Sequence, residues 1–388
     1  MGSTAPQRGT EISRRRLLAG GVAALGAAGV AYGYTRESGE PVFGRESLSF
    51  FGVHQAGIAT SPQAHGTFVA LDLRDGAGRD QLISALKIWT TDAARLTQGL
   101  PALADTEPEL AQEPSALTIT VGLGPGAFSV AGIPSPVEAL PPFGIDRLET
   151  QWSDGDVLLQ VCADDPLTVA HAVRVLTKNV RTMASIRWVQ RGFRSARGAQ
   201  KSGTTMRNLM GQVDGTVNPD PAVDFDSLVW NRDGGTSMVV RRIAIELDTW
   251  DELDRGGREF AVGRTLDTGA PLTGQFEHDE ADFDATDRFG IPVISPASHI
   301  ARARHTHAGE QFFRRAYNYD EPSSGEVTSN SGLIFATFQR DIGTQFLPVQ
   351  QRLDEHDALN EWTTPIGSAV FAIPAGVSEG GFLGQELL

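Results

Sequence analysis

The sequence predicts an α+β chain built from two ferredoxin-like halves with antiparallel sheets, a duplicated barrel-type architecture. Three observations carry that reading. At 388 residues the chain is too long for one ordinary small domain and fits two domains or one duplicated unit. The stretches "DVLLQVCADDPLTVAHAVRVL" and "GLIFATFQRDIGTQFLPVQQRL" run in the same order: apolar strand, acidic turn, helix. Each half also opens on a further strand followed by a helical segment, which is the order of a split β-α-β unit.

The elements can be justified in turn. "GTFVALDLRDGAGRDQLISALKIW" gives a strand, a Gly-rich turn and a helix with Leu82, Leu86 and Trp89 on one face. "ALTITVGL" is a strand, and "GLGPGAF" after it reads as a loop whose glycines lack the GxGxxG order. Val157 to Ala163 forms the next strand. Asp165 then caps a helix whose first turn takes Pro166 and whose inner face carries Val169, Val173 and Leu176. In the second half "SMVVRRIAIELDTWDELDR" is a strand followed by a helical segment, and "AVFAIP" is a closing strand. The expected divisions are a leader at 1–31, a linker at 32–48, a first ferredoxin-like domain at 49–210 and a second at 211–388.

Composition narrows the function. Apolar residues make up 40% and charged residues 21%, so a packed core is expected. The net charge of −15 disfavours nucleic acid and anionic membrane surfaces as partners. A single cysteine, Cys162, rules out an internal disulfide, a CxxCH attachment site and a multi-cysteine zinc site within this chain. Near the N-terminus "SRRRLL" fits the core of a twin-arginine export signal, with Ser13, Arg14 and Arg15 at its centre. The apolar run from Leu17 to Ala31 is short for a membrane span. That export route carries folded proteins, which favours a protein loaded with its cofactor before export.

Few stretches carry chemistry. There is no GxSxG elbow, no phosphate loop and no HExxH helix. The acidic run from Glu277 to Asp287 lacks calcium-loop spacing and reads as a solvated loop. His171 reads as structural, and His54 and His65 are open between structure and function. "PVISPASHIARARHTHAGEQFFRRAYNYD" sets His299, His305 and His307 among Arg302, Arg304, Arg314 and Arg315. A histidine to ligate iron and arginines to neutralise carboxylates suit an anionic metal porphyrin; a basic solvated loop is the alternative. "GQVDGTVNP" places Asp214 in a glycine-flanked loop, which suits either a surface turn or an acid held close to something flat.

"GQVDGTVNP" resembles the GxxDG signature of the dye-decolourising (Dyp-type) haem peroxidases. "FFGVHQAGIAT", "IRWVQRGF", "SHI", "FFRRAYNY", "GLIFATFQRDI" and "FLPVQQRL" resemble the same family in the same order, over about residues 48–388. The subgroup most resembled is the exported, iron-uptake group of EfeB-like deferrochelatase/peroxidases.

The resemblance implies one non-covalent haem b per chain, held mainly by the second half. It implies His299 as the proximal iron ligand, Asp214 as the acid/base on the opposite face and Arg314 as the group that stabilises peroxide charge. Gly215, Thr216 and Val217 would lie along the porphyrin, Arg304 would meet a propionate, and Asp341 would hold the second nitrogen of His299. His305 and His307 are competing ligands on the same stretch, where "HIARARHT" departs from the family's pattern.

The implied substrates are hydrogen peroxide and an organic reductant, with oxidising equivalents leaving through Tyr317, Tyr319 or tryptophans unless these rings serve only packing. Recovery of iron from haem, in contact with iron-uptake components, is the alternative activity. A plain haem carrier is a third, and a homo-oligomer is compatible with all of them.

Overall fold

The computed structural model describes residues 43–325 and 327–388. The twin-arginine motif and the apolar run after it lie outside the described residues. Among the described residues nine strands form one antiparallel sheet. The first half contributes β1 (His65–Leu73), β2 (Thr118–Leu123), β3 (Val157–Ala163) and β4 (Ala184–Phe193). The second contributes β5 (Thr236–Ile245), β6 (Phe313–Arg314), β7 (Tyr317–Glu321), β8 (Asn330–Gln339) and β9 (Thr363–Ile373).

The strand order is β5-β9-β2-β3-β1-β4-β7-β8-β6, and β5 also pairs β8, so eight strands close on themselves with β6 appended. Within the first half the spatial order is β4-β1-β3-β2, and within the second it is β9-β5-β8-β7. Both are the ferredoxin-like arrangement, so the duplication read from the sequence is present in the topology. The two sheets meet at two seams, each recorded as a single residue pair: Leu123 with Ala372, and Phe193 with Asn318.

Two helices cover the first sheet. Helix α1 (Arg79–Leu96) buries Leu82, Leu86 and Trp89 completely. Helix α2 (Pro166–Asn179) starts where the sequence places it: the Asp165 carboxylate accepts from the Leu167 amide at 3.1 Å, and Pro166 occupies the first turn. Val169 and Leu176 are buried, and Val173 packs at the margin. Two sequence expectations need adjustment. "GLGPGAF" is not a loop throughout, because Pro125–Ala131 is helical with Pro125 in its first turn. The helix expected after β5 is only Leu247–Trp250. Residues 246–316 instead hold several short elements, including helix α3 (Arg255–Val262) and helix α4 (His299–Ala303). Helix α5 (Leu347–His356) follows β8 as expected, after a wide turn at Ile342–Phe346.

Charged residues staple the halves together. Arg315 is fully buried; its guanidinium donates to the carbonyls of Ile58 and Thr60 and to Gln63 Oε1, all in the first half. Arg241 on β5 is buried against Asp146. A buried guanidinium left without acceptors, or acceptors left without it, is expensive. Arg315→Met should therefore lower unfolding free energy by about 2–4 kcal/mol, measured by denaturant titration. An unchanged midpoint would show that the staple contributes nothing.

Candidate active site

Asp214 stands at the end of a small hairpin. Arg207 and Val213 pair across it, and the Asp214 amide donates to the Met206 carbonyl at 2.8 Å. Asn208 turns the chain, accepting from the amides of Met210 and Gln212 at its Oδ1. Gly211 takes a φ of +81° and Gly215 one of +128°, conformations that a side chain would strain. After Asp214 the Asn218 amide donates to the Gly215 carbonyl at 3.0 Å, closing a second turn. Val217, on that turn, leaves an apolar side chain more than half exposed.

Arg314 comes from β6, a two-residue strand on the edge of β8. One Nη1–H of Arg314 donates to Asp214 Oδ1 at 3.4 Å, and both side chains are largely buried. The structure thus brings together two residues that lie 100 positions apart in the sequence.

His299 opens α4. Its Nδ1 donates to Asp357 Oδ2 at 2.6 Å, and Asp357 is buried. The other Asp357 oxygen accepts from the Leu359 amide at 3.0 Å, which caps the turn Ala358–Glu361 and fixes the carboxylate. Burial disfavours a charged His299, but the Asp357 carboxylate outweighs it and the imidazole pKa is raised above its ordinary value. Asp214 and Arg314 also act on His299, with opposite signs, so the three residues lie within electrostatic reach of one another.

The acid on the His299 ring is therefore Asp357 and not Asp341. Asp341 lies at the other end of α5, where its Oδ1 accepts from the Thr344 amide at 2.7 Å and from the Thr344 hydroxyl at 3.1 Å. Arg304 follows the last residue of α4 and is exposed. Its guanidinium lies 4.6 Å from the Phe283 ring centre, and its side chain is turned to that loop. Arg302, one turn of α4 beyond His299, has a buried Nε with no hydrogen-bond partner. His305 and His307 are exposed; His305 contacts Gln311, and His307 lies 3.8 Å from Glu310.

Glu277 belongs to the site's rim rather than to a solvated acidic run. Its Oε1 accepts from Thr205 Oγ1 at 2.5 Å and from Thr216 Oγ1 at 3.0 Å. Buried Arg264 donates to the Glu277 and Gly269 carbonyls at 2.8 and 2.6 Å. Nothing in a single sequence distinguishes Glu277 from the acids that follow it. Asn218 and Asp357 had a weak signal: each is an Asn or Asp beside a turn.

Two of the other histidines are held by contacts with neighbouring side chains. His171 pairs with Asp105 at 2.9 Å in the interior, and His54 stacks on Trp230 at 3.9 Å. His65 opens β1. Tyr317 and Tyr319 are fully buried, and neither hydroxyl has a hydrogen-bond partner among the described residues. A groove of about 510 Å³ on α1 and the C-terminal segment, with Lys87, Arg95 and Phe382 in its wall, shares no residue with the site. It offers no carboxylate, histidine or thiol, so it carries none of this chemistry.

Comparison with known proteins gives a consistent result. The family model "Dyp-type peroxidase, N-terminal" matches residues 55–194, and "Dyp-type peroxidase, C-terminal" matches residues 205–378. A dye-decolorizing peroxidase of Thermobifida fusca is 38% identical over 361 residues, covering 86% of this chain and 83% of that protein. A deferrochelatase of Escherichia coli O157:H7 is 35% identical over 416 residues, covering 97% of each. The crystal structure of a DyP-type peroxidase from Cellulomonas bogoriensis superposes with a TM-score of 0.87 at 56% identity, covering 89% of this chain and 99% of that one.

One electrostatic feature beside α4 can be tested directly. Burial opposes ionisation of Glu310, but the Thr306 amide and the Arg352 guanidinium outweigh it and lower its pKa to about 2. A depressed carboxylate pKa stabilises the fold above the unfolded value near 4.5, and that stability is lost as pH falls towards 2. Glu310→Gln should therefore show a shallower loss of stability between pH 4.5 and 2 than the native protein, although it is less stable at neutral pH. Equal losses in parallel acid titrations of the two, followed by circular dichroism, would refute the assignment.

Proposed function

The chain belongs to the Dyp-type peroxidase family, and from that premise we propose that Asp214, Arg314, His299 and Asp357 are the working groups of its haem-dependent peroxidase chemistry. The observation that carries the proposal is the pairing of Asp214 with Arg314 and of His299 with Asp357. The two pairs lie within electrostatic reach of each other.

The residues present fit haem, the family's cofactor. With Nδ1 bonded to Asp357, His299 keeps Nε2 as its ligating nitrogen. The exposed Val217 side chain suits a flat apolar ring, and the unpartnered Arg302 Nε suits a propionate better than Arg304 does. The Gly215 turn lets backbone approach the ring closely.

When bound, haem supplies the redox chemistry that reduces hydrogen peroxide and withdraws electrons from an organic donor. The chain's own groups handle protons and charge. Asp357 Oδ2 holds the proton on His299 Nδ1, which fixes the tautomer and makes Nε2 a stronger donor. A carboxylate oxygen of Asp214 takes the proton from one peroxide oxygen and returns it to the other. The Arg314 guanidinium donates hydrogen bonds to the oxygen on which negative charge develops.

A second reading is favoured by the deferrochelatase relative, which matches over nearly the full length of both chains. In that reading the same pocket gives up iron from haem and leaves the porphyrin intact. Iron-free protoporphyrin formed from haem without added peroxide would favour it; peroxide-dependent oxidation of a dye favours the first. We also read Ser13-Arg14-Arg15 as a twin-arginine signal and the mature protein as exported. Replacing Arg14 and Arg15 by lysine should leave the protein inside the cell, and continued export would dismiss the signal.

Asp214→Asn and Arg314→Leu should each retain haem yet slow the reaction with peroxide by about 100-fold or more, followed by stopped-flow absorbance. A variant that reacts at the native rate has no part in the mechanism. His299→Ala should lose haem from the purified protein. Asp357→Asn should weaken haem retention or activity by about 10–100-fold, while Asp341→Asn should change neither. The reverse pattern would return the role to Asp341.

A further inference from the structure

We infer that Asn218 is the residue that positions Arg314 for its work, an inference that rests on the role given to Arg314 above. The argument begins with the sheet edge. Strand β6 pairs β8 on one side, and the Arg315 amide donates to the Ala336 carbonyl at 2.8 Å. Backbone groups alternate sides along an antiparallel strand, so the amide and carbonyl of Arg314 point away from β8. Among the described residues no strand lies there to take them. The Asn218 carboxamide does: its Oδ1 accepts from the Arg314 amide at 3.1 Å, and its Nδ2 donates to the Arg314 carbonyl at 2.8 Å. One side chain stands in for the missing strand neighbour.

The same Oδ1 also accepts from Arg314 Nε at 3.3 Å. That bond fixes the plane of the guanidinium, and Nη1 is then directed to Asp214 Oδ1. Asn218 is itself fixed to the acid's loop through its amide bond to the Gly215 carbonyl. Asp214 and Arg314 are therefore set against each other by a residue that is four positions from one and bonded three times to the other. No other residue type reproduces the set. Aspartate lacks the donor for the Arg314 carbonyl, and leucine of similar size lacks every bond.

The test uses the haem-loaded full chain and a double-mutant cycle. Asn218→Ala should bind haem stoichiometrically and slow the single-turnover reaction with peroxide by about 10-fold, the scale of a lost hydrogen bond to a charged group. The KM for the organic donor should not change. Binding of fluoride to the ferric holoprotein, read from the visible spectrum, should weaken by a similar factor, because the anion meets a misdirected guanidinium. In an Arg314→Leu background the Asn218→Ala change should alter neither measurement by more than about 2-fold, since its effect passes through Arg314.

Equal losses from Asn218→Ala in both backgrounds would make Asn218 a structural residue and overturn the inference. So would a native peroxide rate and fluoride affinity in Asn218→Ala. If Asn218→Ala fails to hold haem, Asn218→Asp decides. It keeps the acceptor to the Arg314 amide and Nε, so it should hold haem and retain most of the fluoride affinity; loss of both would overturn the inference. A native rate in Arg314→Leu would remove the premise about Arg314 and is separable from failure of Asn218 alone.

Discussion

Strand β8 is the element on which the site depends. One edge pairs β5 along its length, from Ser237 with Gln339 to Ile245 with Ser331. The other edge pairs β7 and then β6. The first pairing closes the barrel, and the second holds the two residues that carry Arg314. Leaving β8, the chain passes Asp341 and enters α5, whose far end presents Asp357 to His299. One strand thus fixes the Arg314 guanidinium and, through a ten-residue helix, the Asp357 carboxylate. A register slip in β8 would move both at once and turn its buried face outward.

Around this frame the polar groups do most of the orienting. Arg352 on α5 donates to the carbonyls of Arg302 and Arg304 and to both Glu310 oxygens, which holds the C-terminal end of α4. Glu277 joins Thr205 and Thr216, and Phe283 farther along the same loop meets Arg304. That loop therefore touches both the Asp214 side and the His299 side. Buried ion pairs contribute little net stability against apolar replacements, but they are costly to leave half made. They hold side chains in one geometry, which is the property that proton transfer needs.

The duplicated topology was legible because it rests on local pattern. Strand runs, the Asp165 cap and the inner face of α1 are all set within a few residues. Asp214, Arg314 and His299 were singled out through resemblance, since the side-chain contacts they make join residues 100 and 58 positions apart. The misreadings of Asp341 and Glu277 have physical causes. Asp341 and Asp357 lie at opposite ends of the helical stretch made by the Ile342–Phe346 turn and α5, and sequence does not say which end meets His299. Arg302 and Arg304 differ by two residues, but α4 ends at Ala303, so the second arginine leaves the helical face and turns to Phe283. Glu277 looked like its acidic neighbours because what distinguishes it is two threonine hydroxyls from another loop.

The seams have a consequence for how the molecule comes apart. Each joins the two halves by one backbone pairing, whereas the strands within a half are zipped along most of their length. Local opening is cheapest where few hydrogen bonds must break together. Amide protons along Leu123, Ala372, Phe193 and Asn318 sit on those lines of weakness, and the cross-half staples at Arg315 and Arg241 oppose their parting. The barrel behaves mechanically as two shells clasped at their rims. Asp214, Arg314, His299 and Asp357 all sit in one shell, so the clasp can loosen without separating them.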